Sequence, residues 1–306
     1  MEKAKQGRLV RGVGGLYEVY FSDTTRVECK ARGALRNKGC KPLIGDLVTV
    51  QWEMQNPVLT EILPRKNELI RPAMANLDVL LIVTAAASPA PSFLLLDKLI
   101  TVAEFHKIAP VIVITKADLH GEAEHLKAVY SQCGFPVFTV EAAQPQGICA
   151  LRQYLQTECA GCVMAVAGSS GVGKSTLLNR MFPKLMLQTG EVSRKIERGK
   201  HTTRSVDLYP MAMLCEEKTQ SGFLADTPGF GMLDFAQFDF YTKEDLPYTF
   251  REFAPYLQKC RYADCTHVRE DGCAVIQAVQ EGRLPKERHD SFVNLYETLK
   301  SKRPWH

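Results

Sequence analysis

The chain has no stretch approaching the roughly 20 apolar residues needed to cross a bilayer, so a membrane partner is not expected. Met1-Glu2-Lys3-Ala4-Lys5-Gln6 carries charge with no apolar segment behind it, which is not the pattern of a secretory signal. Internal repeats and low-complexity tracts are also missing, which removes repeat architectures. Ten cysteines are present, but a chain of 306 residues with no export signal does not read as a disulfide framework. They read as reduced thiols or metal ligands, and the default compartment is cytoplasmic. Charge is scarce in sum, at a net +4. All of that excess lies in residues 1–65, which hold eleven Lys/Arg against seven Asp/Glu. Lys30, Arg32, Arg36, Lys38 and Lys41 form a basic run without an acid, suited to an anionic partner such as RNA or to an ordinary solvated loop.

What is present centres on one loop. Gly168-Ser169-Ser170-Gly171-Val172-Gly173-Lys174-Ser175 is a complete G-x-x-x-x-G-K-S sequence. The apolar run Val163 to Ala167 feeds it as a buried strand, and Ser175 to Arg180 leaves it as a helix. Glycines let the backbone wrap an anion, and successive N–H groups converge on it at the helix N-terminus. Lys174 is placed for the β/γ-phosphate oxygens and the Ser175 hydroxyl for Mg²⁺, with Thr176 beside it.

Two further nucleotide elements sit in rotated order. Thr115-Lys116-Ala117-Asp118 ends an apolar strand some fifty residues before the loop. In such a T/N-K-x-D sequence the Asp118 carboxylate accepts from guanine N1–H and its exocyclic amine, while Thr115 stands where Asn is usual. A further base-side loop is expected near Val140-Glu141-Ala142-Ala143, without the usual Ser-Ala. After the phosphate loop, Asp226-Thr227-Pro228-Gly229 reads as a D-x-x-G, with Asp226 near Mg²⁺ and the Gly229 N–H toward the γ-phosphate. Between them, Thr203 (or Thr202) is the expected switch ligand to Mg²⁺. Phe230 cannot orient water, so slow intrinsic hydrolysis is expected, and His201 is the nearest candidate for positioning the water.

Around this core the pattern divides into three. Residues 1–64 hold about five short strands with Gly turns, fitting a small barrel of OB or SH3-like type. Pro64 to Asn67 and Arg71-Pro72 read as a linker, and residues 65–234 then alternate apolar strands with helices, as in a parallel sheet covered on both faces. Residues 235–306 read as helical and polar, with helices over 273–282 and 286–302. Cys260, Cys265, His267 and Cys273 supply three thiolates and an imidazole, a complete shell for one structural Zn²⁺ in a segment expected to have little core. Cys159-Ala160-Gly161-Cys162 has no second pair nearby and reads as structural thiols.

The combination resembles the RsgA/YjeQ family of circularly permuted, small-ribosomal-subunit-dependent GTPases, over essentially the whole chain. Arg65 to Leu69 with Arg71-Pro72 and Ala75 to Asp78 look like its domain junction, and Gly199 to Thr203 and Asp226 to Phe230 like its switches. The resemblance implies an N-terminal OB-fold, a central permuted P-loop GTPase and a C-terminal zinc domain. It also implies GTP/GDP binding with Mg²⁺, contact with the small subunit and its rRNA, and hydrolysis stimulated by the subunit and coupled to release. A monomer is the default state. The rivals are a P-loop ATPase or kinase, a non-enzymatic RNA-binding scaffold, and a large-subunit assembly GTPase.

Overall fold

A computed structural model describes residues 4–33, 35, 41–119, 121–141, 144–185, 206–214, 221–226 and 241–301. Its chain falls into two compact units, Met1–Val79 with Gln156–Val166 and Leu178–Phe230, and Leu80–Leu155 with Ala167–Leu177 and Gly231–His306.

In the first unit, β1 (Ala4–Val13), β2 (Leu16–Tyr20), β3 (Arg26–Ala31), β4 (Leu47–Glu53) and β5 (Asn56–Ile62) close a barrel in the order β1-β2-β3-β5-β4. β1 runs antiparallel to both β2 and β4, while β3 and β5 are parallel at Lys30↔Val58. That five-stranded closure is the OB arrangement, so the choice left open by the sequence resolves in its favour. Inward positions carry the apolar residues, with Leu9, Val19, Val48, Val50 and Leu59 at 0 % exposure. Gly14 and Gly15, both at positive φ, make the β1–β2 turn.

The expected linker is bound structure instead. Arg65 holds the buried Asp46 carboxylate through Nε and an Nη (2.8 and 2.9 Å). Asn67 exchanges two side-chain hydrogen bonds with the Leu77 backbone. Asn76 accepts from the Lys66 N–H and donates to Gly45 O. Two-residue strands β6 (Glu68–Leu69) and β7 (Met74–Ala75) pair across this segment.

A six-stranded sheet follows. Its strands are β8 (Val79–Ala85), β9 (Ala109–Thr115), β10 (Val137–Val140), β11 (Val163–Ala167), β12 (Asp207–Pro210) and β13 (Phe223–Asp226), in the order β10-β9-β8-β11-β13-β12. β8 is buried at every residue and β9 at all but its first, as the apolar runs predict. The sheet is not wholly parallel, because β12 runs antiparallel to β13. This edge strand is four residues long and ends in proline, so it offers no apolar run to find.

In the second unit, α1 (Phe93–Phe105) is capped by Ser92, whose hydroxyl accepts from the Leu95 N–H. α2 (Ala123–Gln132) and α3 (Gln146–Thr157) are helices of the expected strand–helix alternation, and α4 (Lys174–Met181) leaves the phosphate loop. A single turn, α5 (Met211–Leu214), belongs to the first unit. The C-terminal segment carries two 3₁₀ turns (Leu246–Thr249, Arg251–Phe253), α6 (Ala274–Gln280) and α7 (Lys286–Ser301). The expectation of little core there is overturned. Phe250, Phe253 and Phe292 are fully buried with ring centroids 5.1–5.3 Å apart, joined by Val275 and Leu295. Among the described helices none is long and apolar enough to cross a membrane.

Candidate functional site

β11, buried along its length, delivers the chain into the glycine loop. Gly168 stands at φ +143, and a Cβ there would lie 2.2 Å from Val83 O on β8, so only glycine fits. Gly171 and Gly173 also have positive φ, at +79° and +91°. Val172 between them is buried and anchors the loop. Ser169 is half-buried and Ser170 exposed. The Lys174 ammonium donates to Gly168 O (2.9 Å) and Ser169 O (2.6 Å), and burial lowers its pKa from the usual lysine range. Ser175 and Thr176 are exposed on the first turn of α4, where a hydroxyl can meet a cation held by phosphate.

Thr115, Lys116 and Asp118 come to this loop from the other side. The Thr115 hydroxyl lies against Thr84 O (3.1 Å) and Val172 O. Lys116 Nζ donates to Gly171 O (2.9 Å) and to Ser88 O. Lys116 takes φ +54, an uncommon conformation for a residue with a Cβ. Asp118 follows two residues later and is exposed, its carboxylate available to a base. The rotated sequence thus converges in space. Sequence reasoning missed Ser88 and Thr84, which act through backbone carbonyls and leave no residue signature.

Asp226 ends β13. The parallel register Ala165↔Ala225 sets its backbone level with Val166, at the strand end from which the loop departs. The Asp226 side chain lies outside the described residues, as do Thr202, Thr203, His201, Gly229, Phe230, Ala142 and Ala143.

In the second unit, the three sulfurs of Cys260, Cys265 and Cys273 and a ring nitrogen of His267 lie within 4.8 Å of one another, a set that can hold a metal ion. Cys260 Sγ and Cys273 Sγ are 3.8 Å apart, and His267 Nδ1 is 3.5 Å from each. By contrast Cys159 is buried and its thiol is pushed up to about 11, mainly by that burial. Every described cysteine is free.

On the barrel, Lys30 and Lys41 are exposed, and Arg32 pairs with Glu53 at 3.0 Å. Arg36 and Lys38 lie outside the described residues.

Comparison with known proteins adds the following. The family described as RsgA GTPase matches residues 62–236, and the RsgA N-terminal domain matches residues 6–57. The Small ribosomal subunit biogenesis GTPase RsgA of Caldanaerobacter subterraneus subsp. tengcongensis is 41% identical over 301 residues, covering 97% of this chain and 96% of that protein. The protein of the same name from Geobacillus kaustophilus is 38% identical over 305 residues, with 98% and 99% covered. YjeQ from Thermotoga maritima superposes with a TM-score of 0.82 at 30% identity, covering 98% of this chain and all (100%) of that one. YloQ, a circularly permuted GTPase, does so with 0.78 at 30% identity, covering 99% and 98%.

Proposed function

This chain belongs to the RsgA GTPase family, and from that premise we propose that it hydrolyses GTP in the service of late small-ribosomal-subunit maturation. The observation that carries the nucleotide reading is the docking of the T-K-A-D side chains on the phosphate loop, Thr115 on Val172 and Lys116 on Gly171. In that pocket Gly168 to Gly173 cradle the phosphates, Asp118 selects guanine, and Lys174 offsets charge on the transferring phosphoryl. Ser175 and Thr203, with Asp226 behind them, would hold Mg²⁺, which when bound supplies charge neutralisation between the β- and γ-phosphates. His201 is the candidate for positioning water. Intrinsic hydrolysis is slow, the small subunit stimulates it, and hydrolysis favours release.

The functional division is residues 1–64 for rRNA contact, 65–234 for the GTPase and 235–306 for the zinc domain. Lys30, Arg32, Arg36, Lys38 and Lys41 form the RNA footprint. Zinc suits this donor set. A tetrahedral ion at about 2.3 Å from sulfur and about 2.05 Å from nitrogen would set S···S near 3.8 Å and S···N near 3.5 Å, which are the separations among Cys260, Cys273 and His267, with Cys265 completing a set that lies within 4.8 Å. The protein acts as a cytoplasmic monomer.

Phosphate release from GTP and ATP, measured with and without purified ribosomal subunits, tests the reading. Faster GTP turnover with small but not large subunits, and no ATP turnover, is expected. Equal turnover of the two nucleotides would favour a general P-loop NTPase. Indifference to small subunits would remove the coupled cycle.

A further inference from the structure

The loop that carries His267 is held by side chains that are not metal ligands. The Glu270 carboxylate accepts from the backbone N–H of Thr266 (3.0 Å), Val268 (3.1 Å) and Arg269 (3.2 Å), and from the Thr266 hydroxyl. These amides bracket His267 on both sides. His267 itself stands at φ +61, where a residue with a Cβ is uncommon. Its carbonyl accepts from His289 Nε2–H on α7 at 2.8 Å. A strained backbone persists only where its surroundings fix it from several directions, and here the fixing groups are Glu270 and His289. The result is that Nδ1 of His267 lies 3.5 Å from each of two sulfurs.

We propose that Glu270, seconded by His289, is a positioning residue that builds the metal-binding loop before the ion arrives. The inference rests on reading the cluster as a metal site. A loop without these contacts would have to order its backbone on binding, and affinity would fall by the cost of that ordering. With Glu270 in place that ordering is already met when the C-terminal segment folds on its phenylalanine core.

The test uses the full-length protein and competes Zn²⁺ against a chromophoric chelator. Glu270→Gln keeps the size of the side chain but turns one acceptor into a donor facing backbone amides. It should weaken zinc binding about 10–100-fold, the usual effect of losing a partner behind the ligands. The absorption spectrum of the Co²⁺-substituted variant should match that of the parent, because the four ligands remain. Unchanged zinc affinity would overturn the proposal. So would an altered Co²⁺ spectrum, which would mean that Glu270 acts on the ligand set itself. If Glu270→Gln does not fold, hydrogen exchange in the metal-free parent decides. Protected amides at Thr266, Val268 and Arg269 are expected, and exchange at free-chain rates would overturn the idea. Failure of the parent to bind zinc at all would instead sink the zinc assignment beneath it.

Discussion

The Thr115 hydroxyl carries one proton and faces two carbonyls, Thr84 O on β8 and Val172 O in the phosphate loop. Thr115 is buried, and its one proton can serve only one of these carbonyls at a time. Thr115→Val keeps the shape and removes the donor, so one buried carbonyl loses its hydroxyl partner at a cost of about 1–3 kcal/mol. Chemical denaturation should register that loss, and GDP affinity should fall with it because the loop is no longer tied to the base side. Cys159 offers a second check. Its thiol sits at about 11 against an ordinary 9.0. The folded state therefore holds its proton where the unfolded chain has lost it. This group's contribution to stability is intact below pH 9 and is lost as pH rises from 9 toward 11. At pH 8 its thiolate fraction should be about 100-fold below that of an ordinary thiol. Alkylation mapped by mass spectrometry should find Cys159 far slower than the exposed Cys149.

The C-terminal segment docks on α1, with further contacts to α2 through His125–Glu287 and Gln132. α1 presents Asp97, Thr101 and Glu104 at helical spacing, one face of the rod. Thr101 meets the Tyr241 hydroxyl at 2.6 Å, and Glu104 pairs with Arg251, whose Nε lies 2.8 Å away. Asp97 meets both the Tyr130 hydroxyl and Arg288. Arg288 is fully buried, with Glu252 at 2.6 Å and the Phe250 ring 4.5 Å beneath its guanidinium. Burial opposes its charge, but Asp97 and Glu252 outweigh it, and its pKa stays well above the usual value. Arg288→Met strands two buried carboxylates and should cost about 3–5 kcal/mol in urea unfolding. Adding Asp97→Leu should recover part of that loss, since one stranded charge goes with it. This network was not legible in the sequence. Arg288 lies in the polar helix Lys-Glu-Arg-His-Asp, where a cation reads as solvated, and only the tertiary fold reveals its partners. The loop-to-helix junction at Gly168–Lys174 was legible because all its chemistry is contiguous. The four-residue β12 was not, being too short for a period to appear.

For the whole molecule, the legible parts were those whose residues announce a charge, a metal ligand or a phosphate-binding backbone. The rotated order and the Cys/His cluster followed from such residues, and the fold class from the apolar strand runs. The supports were silent, because Ser88 O, Thr84 O, Glu270 and the Arg65–Asp46 junction act through geometry rather than residue type. The expected linker failed for the same reason: Arg65, Asn67 and Asn76 look like solvated polar residues until Asp46, Leu77 and Gly45 are seen to meet them.

The central claim is that a rotated chain rebuilds one pocket in which Asp118 reads the base and the Gly168–Ser175 loop holds the phosphates. Equilibrium titration of the parent and Asp118→Asn with labelled GDP, XDP and ADP tests it most directly. The carboxylate accepts from the two donors on guanine, whereas an amide can donate to the C2 carbonyl of xanthine and still accept from N1–H. The parent should prefer GDP, and the variant should pass that preference to XDP, with a relative change of about 100-fold from the two hydrogen bonds exchanged. Equal affinity of the parent for ADP and GDP, or a variant that still prefers GDP, would contradict the account.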